Sequence, residues 1–207
     1  MSSATLDARA LLDVIERAAS LAAQVDHPEE AIRVLLAAPL EVIGDREAYL
    51  RPGSLKEGER HFFVGGCFIT TPDTRYHMLI GNTGFPPEQR RLMVPIEGGH
   101  PGTVFRTRAP ILLANTDEHG SFKQYLKSSR MGSSIYAPMI WRSQFMGLLI
   151  FAAQARHTMR ELDLAVLRVL AQHATSLWVA HGGPQWLAAE YPPKDGFYVE
   201  TGGLNPR

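Results

Sequence analysis

The sequence predicts an α+β fold, an α/β sandwich around a largely antiparallel sheet. Three observations predict it. Apolar residues recur at helical spacing at both ends of the chain. Between them lie β-rich runs separated by short turns. The elements follow the order helix, helix, three strands, helix, strand, helix, two strands, helix. The chain has 207 residues, enough for one domain with an ample core.

Each element has a local reason. Leu11, Ile15, Ala18, Ala22 and Val25 place one apolar stripe on a helix from about Leu6 to Val25. Asp26-x-x-Glu29 reads as a capping box for a second helix. Pro28 sits in its first turn, "EEAIRVLLAA" is its body, and Pro39 ends or bends it. Residues 44–60 are polar and rich in breakers and read as a loop. "HFFVGGCFIT" and "RYHMLIGNT" form a strand pair around "TPD". "PPEQRRL" is a helical turn, and "MVPIEGG" is a short strand. A brief helix follows around Thr103–Thr107, then the strand "ILLAN" and a polar helix around "SFKQYLKSS". "SSIYAPMI" and "FMGLLIFAAQ" make a hairpin around "WRSQ". Thr158-x-x-Glu161 reads as the capping box of a long last helix carrying Leu164, Leu167, Ala171, Ala174 and Trp178, which Gly182-Gly183-Pro184 stops. Residues 1–184 therefore read as one domain, and 185–207 as a Pro- and Gly-rich docked extension.

Composition excludes several function classes. Hydrophobic residues make up 45% and charged residues 20%, as in ordinary globular proteins. Lys plus Arg and Asp plus Glu are 21 each, so no electrostatic footprint points to nucleic acid or an anionic membrane. Arg90-Arg91 and Arg106–Arg108 read as solvated helix faces. The N-terminus lacks an apolar signal core, and "FMGLLIFAA" is too short to span a bilayer. Cys67 is the one cysteine, which rules out an intrachain disulfide and a Cys-rich zinc site, and a cytoplasmic location is expected. In its strand, Cys67 is either an inert core residue or, if exposed with a lowered pKa, a redox sensor. Among the histidines, His173 and His181 stand too far apart on one helix for joint ligation, and His61 and His77 lie on different strands. No H-x-x-x-H or H-E-x-x-H pattern occurs, so no metal or cofactor is expected.

Three stretches, in order, resemble the GAF domain family of small-molecule-binding regulatory modules. "PIEGGHPGTVFRTRAPILLANTDE" is similar to that family's glycine, short helix and strand segment, with Arg108-Ala109 where a Gly-acidic pair is common. "GSSIYAPMIWRSQFMGLLIFAA" is similar to its final hairpin, and "HTMRELDLAVLRVLAQHATSLW" to its C-terminal helix. The resemblance runs from about Leu6 to His181. It implies a ligand pocket between one face of the sheet and its loops. It also implies that the first and last helices cover the other face and pair two subunits.

Candidate ligand contacts follow. His100, Gly102 and Thr103 sit at a helix start, where free N–H groups could meet an anion or carbonyl, or where the glycines only turn a corner. Strand alternation puts Ser134, Tyr136 and Pro138 on one face and Ile135, Ala137 and Met139 on the other. The polar pair either grips a ligand or is satisfied by backbone or water. Pro138 marks a strand edge, end or bulge. Leu148, Ile150 and Ala152 share a face of the facing strand, and Ile150 joins the candidate set. Tyr125 either closes over the pocket or anchors the core.

The expected role is a non-enzymatic sensor of an unidentified small molecule, acting as a homodimer through the first and last helices, with output through a partner protein. The apolar residues of the last helix spread over a wide arc, with Leu162, Val166, Val169 and Leu170 beside the main stripe, as for a helix buried on two sides. An enzyme related to free methionine sulfoxide reductase is the alternative. That resemblance implies an attacking and a resolving cysteine, and only Cys67 is present. A structural interaction module with a vestigial pocket is a further alternative. "NTDE" at Asn115–Glu118 lacks the lysine of a cyclic-nucleotide signature, and Cys67 is not placed like a bilin-attachment cysteine.

Overall fold

Among the described residues, seven strands form one sheet in the order β4-β5-β6-β1-β2-β3-β7. They are β1 (Phe63–Thr70), β2 (Tyr76–Thr83), β3 (Arg91–Pro95), β4 (Ile111–Leu113), β5 (Ser133–Trp141), β6 (Gln144–Ala153) and β7 (Gly196–Tyr198). The helices are α1 (Ala8–Ala22), α2 (Pro28–Val42), α3 (Gly99–Thr107), α4 (Glu161–Ala180) and α5 (Gly183–Glu190). The computed structural model describes residues 8–204. Neighbouring strands are antiparallel except β7, which pairs in parallel with β3. This is the expected mixed fold. The expected start of the first helix at Leu6 lies outside the described residues.

The sheet divides the core into two layers. On one face Cys67, Ile69, Met78, Ile135, Leu149 and Phe151 pack with α2 and α4, and α1 packs on those helices in turn. On the other, Val64, Phe68, Leu79, Leu92, Tyr136, Leu148 and Ala152 pack with Val104 of α3, Phe122, Leu126 and Met131. Residues of β5 alternate strictly between the two layers, as the pleat requires. Arg142 and Ser143 join β5 to β6, both at positive φ, the geometry of a two-residue hairpin turn made without glycine.

Tertiary contacts override several local signals. The expected Asp26-x-x-Glu29 box is not formed. His27 is the cap residue, with no side-chain cap bond, and Glu29 reaches across the sheet edge to Arg91 in a bidentate pair at 2.5 Å. Burial raises the Glu29 pKa, but its bonds to Arg91 and the Gly81 N–H bring it below the ordinary value. Pro39 lies inside α2, which runs on to Val42. The α4 cap is not Thr158/Glu161. The Arg160 N–H donates to Asp163 Oδ2 at 2.8 Å, while the Thr158 hydroxyl donates to the Ala155 carbonyl.

The polar helix expected around 121–129 does not form. After a single 3-10 turn at Thr116–Glu118 the segment is irregular. Its carbonyls are taken by other parts of the chain. Gln89 Nε2 donates to the Tyr125 carbonyl at 2.7 Å, Arg130 Nη1 to that of Phe122 at 3.1 Å, and the Leu204 N–H to that of Gln124 at 2.7 Å. Those bonds replace the i to i−4 ladder.

Candidate functional site

A cavity of about 50 Å³ lies on the α3 side of the sheet. Its floor is Val64 and Phe68 of β1, Tyr136 of β5, and Ile150 and Ala152 of β6. Its wall is His100 and Pro101 of α3, and its cover is the irregular segment from Phe122 to Met131. The surface facing the cavity is almost wholly carbon.

The turn into α3 explains how the cover closes. The Gly98 N–H donates to the Pro95 carbonyl at 2.7 Å, and the Gly102 N–H to that of Gly98 at 2.9 Å. A Cβ on Gly98 or Gly99 would come 2.8 or 2.9 Å from the Tyr125 hydroxyl, so the two glycines make room for that ring. Gly102 serves the turn itself, since a Cβ there would sit 2.3 Å from the Glu97 carbonyl carbon.

His100 is 7% exposed, stacked on Tyr136 at 5.9 Å between centroids and tilted against Phe122 at 5.6 Å. Its Nδ1 is buried without a hydrogen-bond partner. Burial, with His119 and Arg130 adding, pushes its pKa down to about 4, so the ring is neutral at pH 7. Burial pushes the Tyr136 phenol up to about 12. The Ser134 hydroxyl is near enough to favour the phenolate but makes no aligned hydrogen bond. Ser129 lines the cavity, and its buried hydroxyl is also without a partner.

The cover is tied down on three sides. Gln89, fully buried, holds Tyr125 through its amide and accepts from the Lys127 N–H at 2.7 Å. Arg130 grips the carbonyls of Phe122 and Thr116, and Gln154 holds the carbonyl of Arg130. The C-terminal segment supplies the third side. β7 extends the sheet, Phe197, Val199 and Leu204 pack on the cavity-side core, and the Tyr125 hydroxyl donates to the Thr201 carbonyl at 3.4 Å.

The structure brings His100, Tyr125, Tyr136 and Ile150 together around the cavity. Gly102, Thr103, Ser134 and Pro138 do not line it. Gly102 packs on backbone, and the Thr103 hydroxyl donates to the Gly99 carbonyl within α3. Pro138 lies further along β5, beyond the span that pairs with β4, beside Arg108 and Pro110. Ser129, Phe122 and Gln89 carried no pattern that could single them out. His77 did: alternation along β2 puts it on the cavity-side face with Leu79. It is fully buried between Phe105 and Phe145. Burial pushes its pKa down to about 4, against a small rise from the Ile96 backbone, and neither ring nitrogen makes an aligned hydrogen bond.

Sequence comparison matches residues 27–176 to the GAF domain. This chain belongs to the GAF family. Among solved structures, the GAF domain of a phosphoenolpyruvate-protein phosphotransferase from Coxiella burnetii is similar, with TM-score 0.68 and 19% identity over 85% of this chain and 96% of that one. Free methionine-R-sulfoxide reductase from Neisseria meningitidis, in complex with its substrate, has TM-score 0.67 and 17% identity over 89% and 97% of the two chains. The GAF domain of the Acinetobacter phosphotransferase has TM-score 0.65 and 15% identity over 84% and 94%. At such identities these likenesses concern the fold. No curated protein matches the chain in sequence. No described helix is long and apolar enough to cross a membrane. The GAF match ends within α4, so α5, β7 and the segment bonded to the cover lie beyond it.

Proposed function

We propose that this GAF domain is a small-molecule sensor without enzymatic activity, its ligand held under the 122–131 cover against Tyr136 and Ile150. The observation that carries the reading is the cavity walled by His100, Tyr136 and the cover on a face the long helices leave free. A pocket with mostly apolar walls and a few polar groups is the usual form of a ligand site. Output runs through a homodimer. α1 exposes Leu12 and Leu21, and α4 exposes Leu162 and Val169, apolar side chains suited to a second subunit.

The reductase alternative is disfavoured by the position of the one thiol. Cys67 is fully buried in the helix-side layer, 3.3 Å from Met139 Sδ, with the sheet between it and the cavity. Burial pushes its pKa up, away from the thiolate that thiol chemistry requires. Native mass spectrometry of gently purified protein is expected to show a small-molecule adduct lost on denaturation and missing in Ile150→Trp, which fills the cavity. An Ile150→Trp variant that keeps the adduct would overturn the site. Light scattering is expected to give a dimer, and a Leu12→Asp, Val169→Asp double variant a monomer.

A further inference from the structure

We propose that the cavity takes a small uncharged organic molecule with an apolar body and one hydrogen-bonding head, such as an alcohol, phenol, ketone or amide. The proposal rests on the ligand-site reading above and names its chemistry. It replaces the expectation of an anion at the start of α3.

The wall offers no counter-charge. Among the described residues that line the cavity, Lys123 is the one with a full charge at neutral pH, and a wall almost wholly of carbon gives its ammonium no place there. Arg130, the guanidinium that acts on both His100 and Tyr136, is occupied by two backbone carbonyls, with Asp117 Oδ1 3.5 Å from its Nε. At the start of α3 the N–H groups of Gly98 and Gly102 are used within the turn, and those of Gly99 and His100, which remain, are neutral donors without a full charge. An ion entering this space would shed its water and find no opposite charge, which excludes carboxylates, phosphates and ammonium groups.

The unused polar atoms are neutral ones. His100 Nδ1 and Ser129 Oγ are both buried, both without a partner, and both on residues that line the cavity. A neutral imidazole and a hydroxyl can each give or accept one hydrogen bond, so they suit a head group that does the same. Volume sets the size. A water needs about 10–15 Å³ of such space, and an apolar cavity of about 150 Å³ takes up benzene. At about 50 Å³, the cavity holds only a few non-hydrogen atoms as it stands. A ring-sized ligand enters if the cover yields, and the cover has no regular secondary structure of its own to break.

The test uses the full chain and matched neutral and charged probes: 2-propanol against acetate, and phenol against benzoate. Binding is read from methyl resonances of Ile150 and Met131. The neutral member of each pair is expected to bind at least tenfold more tightly. His100→Phe keeps a ring stacked on Tyr136 and removes both nitrogens. It is expected to weaken phenol about three- to tenfold and leave toluene unchanged. Ser129→Ala gives the same test on the cover. Acetate and benzoate binding as tightly as their neutral partners would overturn the class while leaving a ligand site. Phenol binding both variants as it binds wild type would overturn the head-group assignment. If no probe, xenon included, shifts Ile150 or Met131, the ligand-site reading fails with the proposal.

Discussion

The two faces of the sheet are built from different materials. The helix-side face meets α2 and α4, with α1 packed on them in turn, and is packed with Leu, Ile, Met and Phe151, and Cys67 is buried there as one more apolar side chain. The cavity-side face meets one short helix, an irregular cover and the C-terminal segment. It also buries polar groups without partners: both nitrogens of His77, Nδ1 of His100, and the hydroxyls of Ser129 and Ser134. Buried unpaired polar groups cost stability, and natural cores hold few. Two of them, His100 Nδ1 and Ser129 Oγ, are on residues that line the cavity, and these two support the proposed division between a face for stability and a face for recognition.

The largest effect expected from that division is with pH. His77 and His100 both have folded pKa values of about 4, below the ordinary imidazole value of 6.5. Above pH 6.5 both folded and unfolded chains hold these rings neutral. As pH falls, the unfolded chain takes up protons that the fold refuses, so stability drops between about pH 6.5 and 4. The loss is about 3 kcal/mol per ring, or about 6 kcal/mol together. Urea midpoints across this range measure it, and His77→Phe is expected to remove about half of the slope.

On the helix-side face, Phe151→Ala is expected to cost about 3–5 kcal/mol through the cavity it leaves. Phenol affinity should change little in the protein that remains folded, because Phe151 points away from the site. Cys67→Ser is a smaller lesion of the same face. The new hydroxyl would be fully buried, at a cost of about 1–3 kcal/mol if unpaired. A fall in ligand affinity larger than the fall in stability would break the comparison. The smallest stability effect is expected on the cover. Tyr125→Phe removes the bond from the Tyr125 hydroxyl to the Thr201 carbonyl, worth about 0.5–1.5 kcal/mol. Stopped-flow exchange should then show faster ligand entry and release with a modest shift in melting temperature.

The frame of this division was legible in the sequence. Period-two alternation in "SSIYAPMI" separates Ser134 and Tyr136 from Ile135 and Ala137, and the structure keeps them on opposite faces. Helical periodicity marked α1, α2 and α4 because one long stripe of each is buried. The cover was not legible. "SFKQYLKSS" has the composition of a polar helix, and what prevents one is bonding from Arg130 within the cover and from Gln89 and Leu204, both distant in sequence from the carbonyls they meet. The role of Gly102 was equally hidden. A glycine at a helix start invites a ligand reading, and only the 2.3 Å approach of Glu97 shows that it turns the chain. Ser129 lies in a run of serines and lysines with no period, so nothing local marks it as facing inward.

Hydrogen–deuterium exchange with and without saturating phenol tests the division between the faces most directly. Ligand under the cover should slow exchange in α3, in residues 119–131 and in 196–204, and leave α1, α2 and α4 unchanged. Protection centred on α1 and α4, with the cover unaffected, would contradict it.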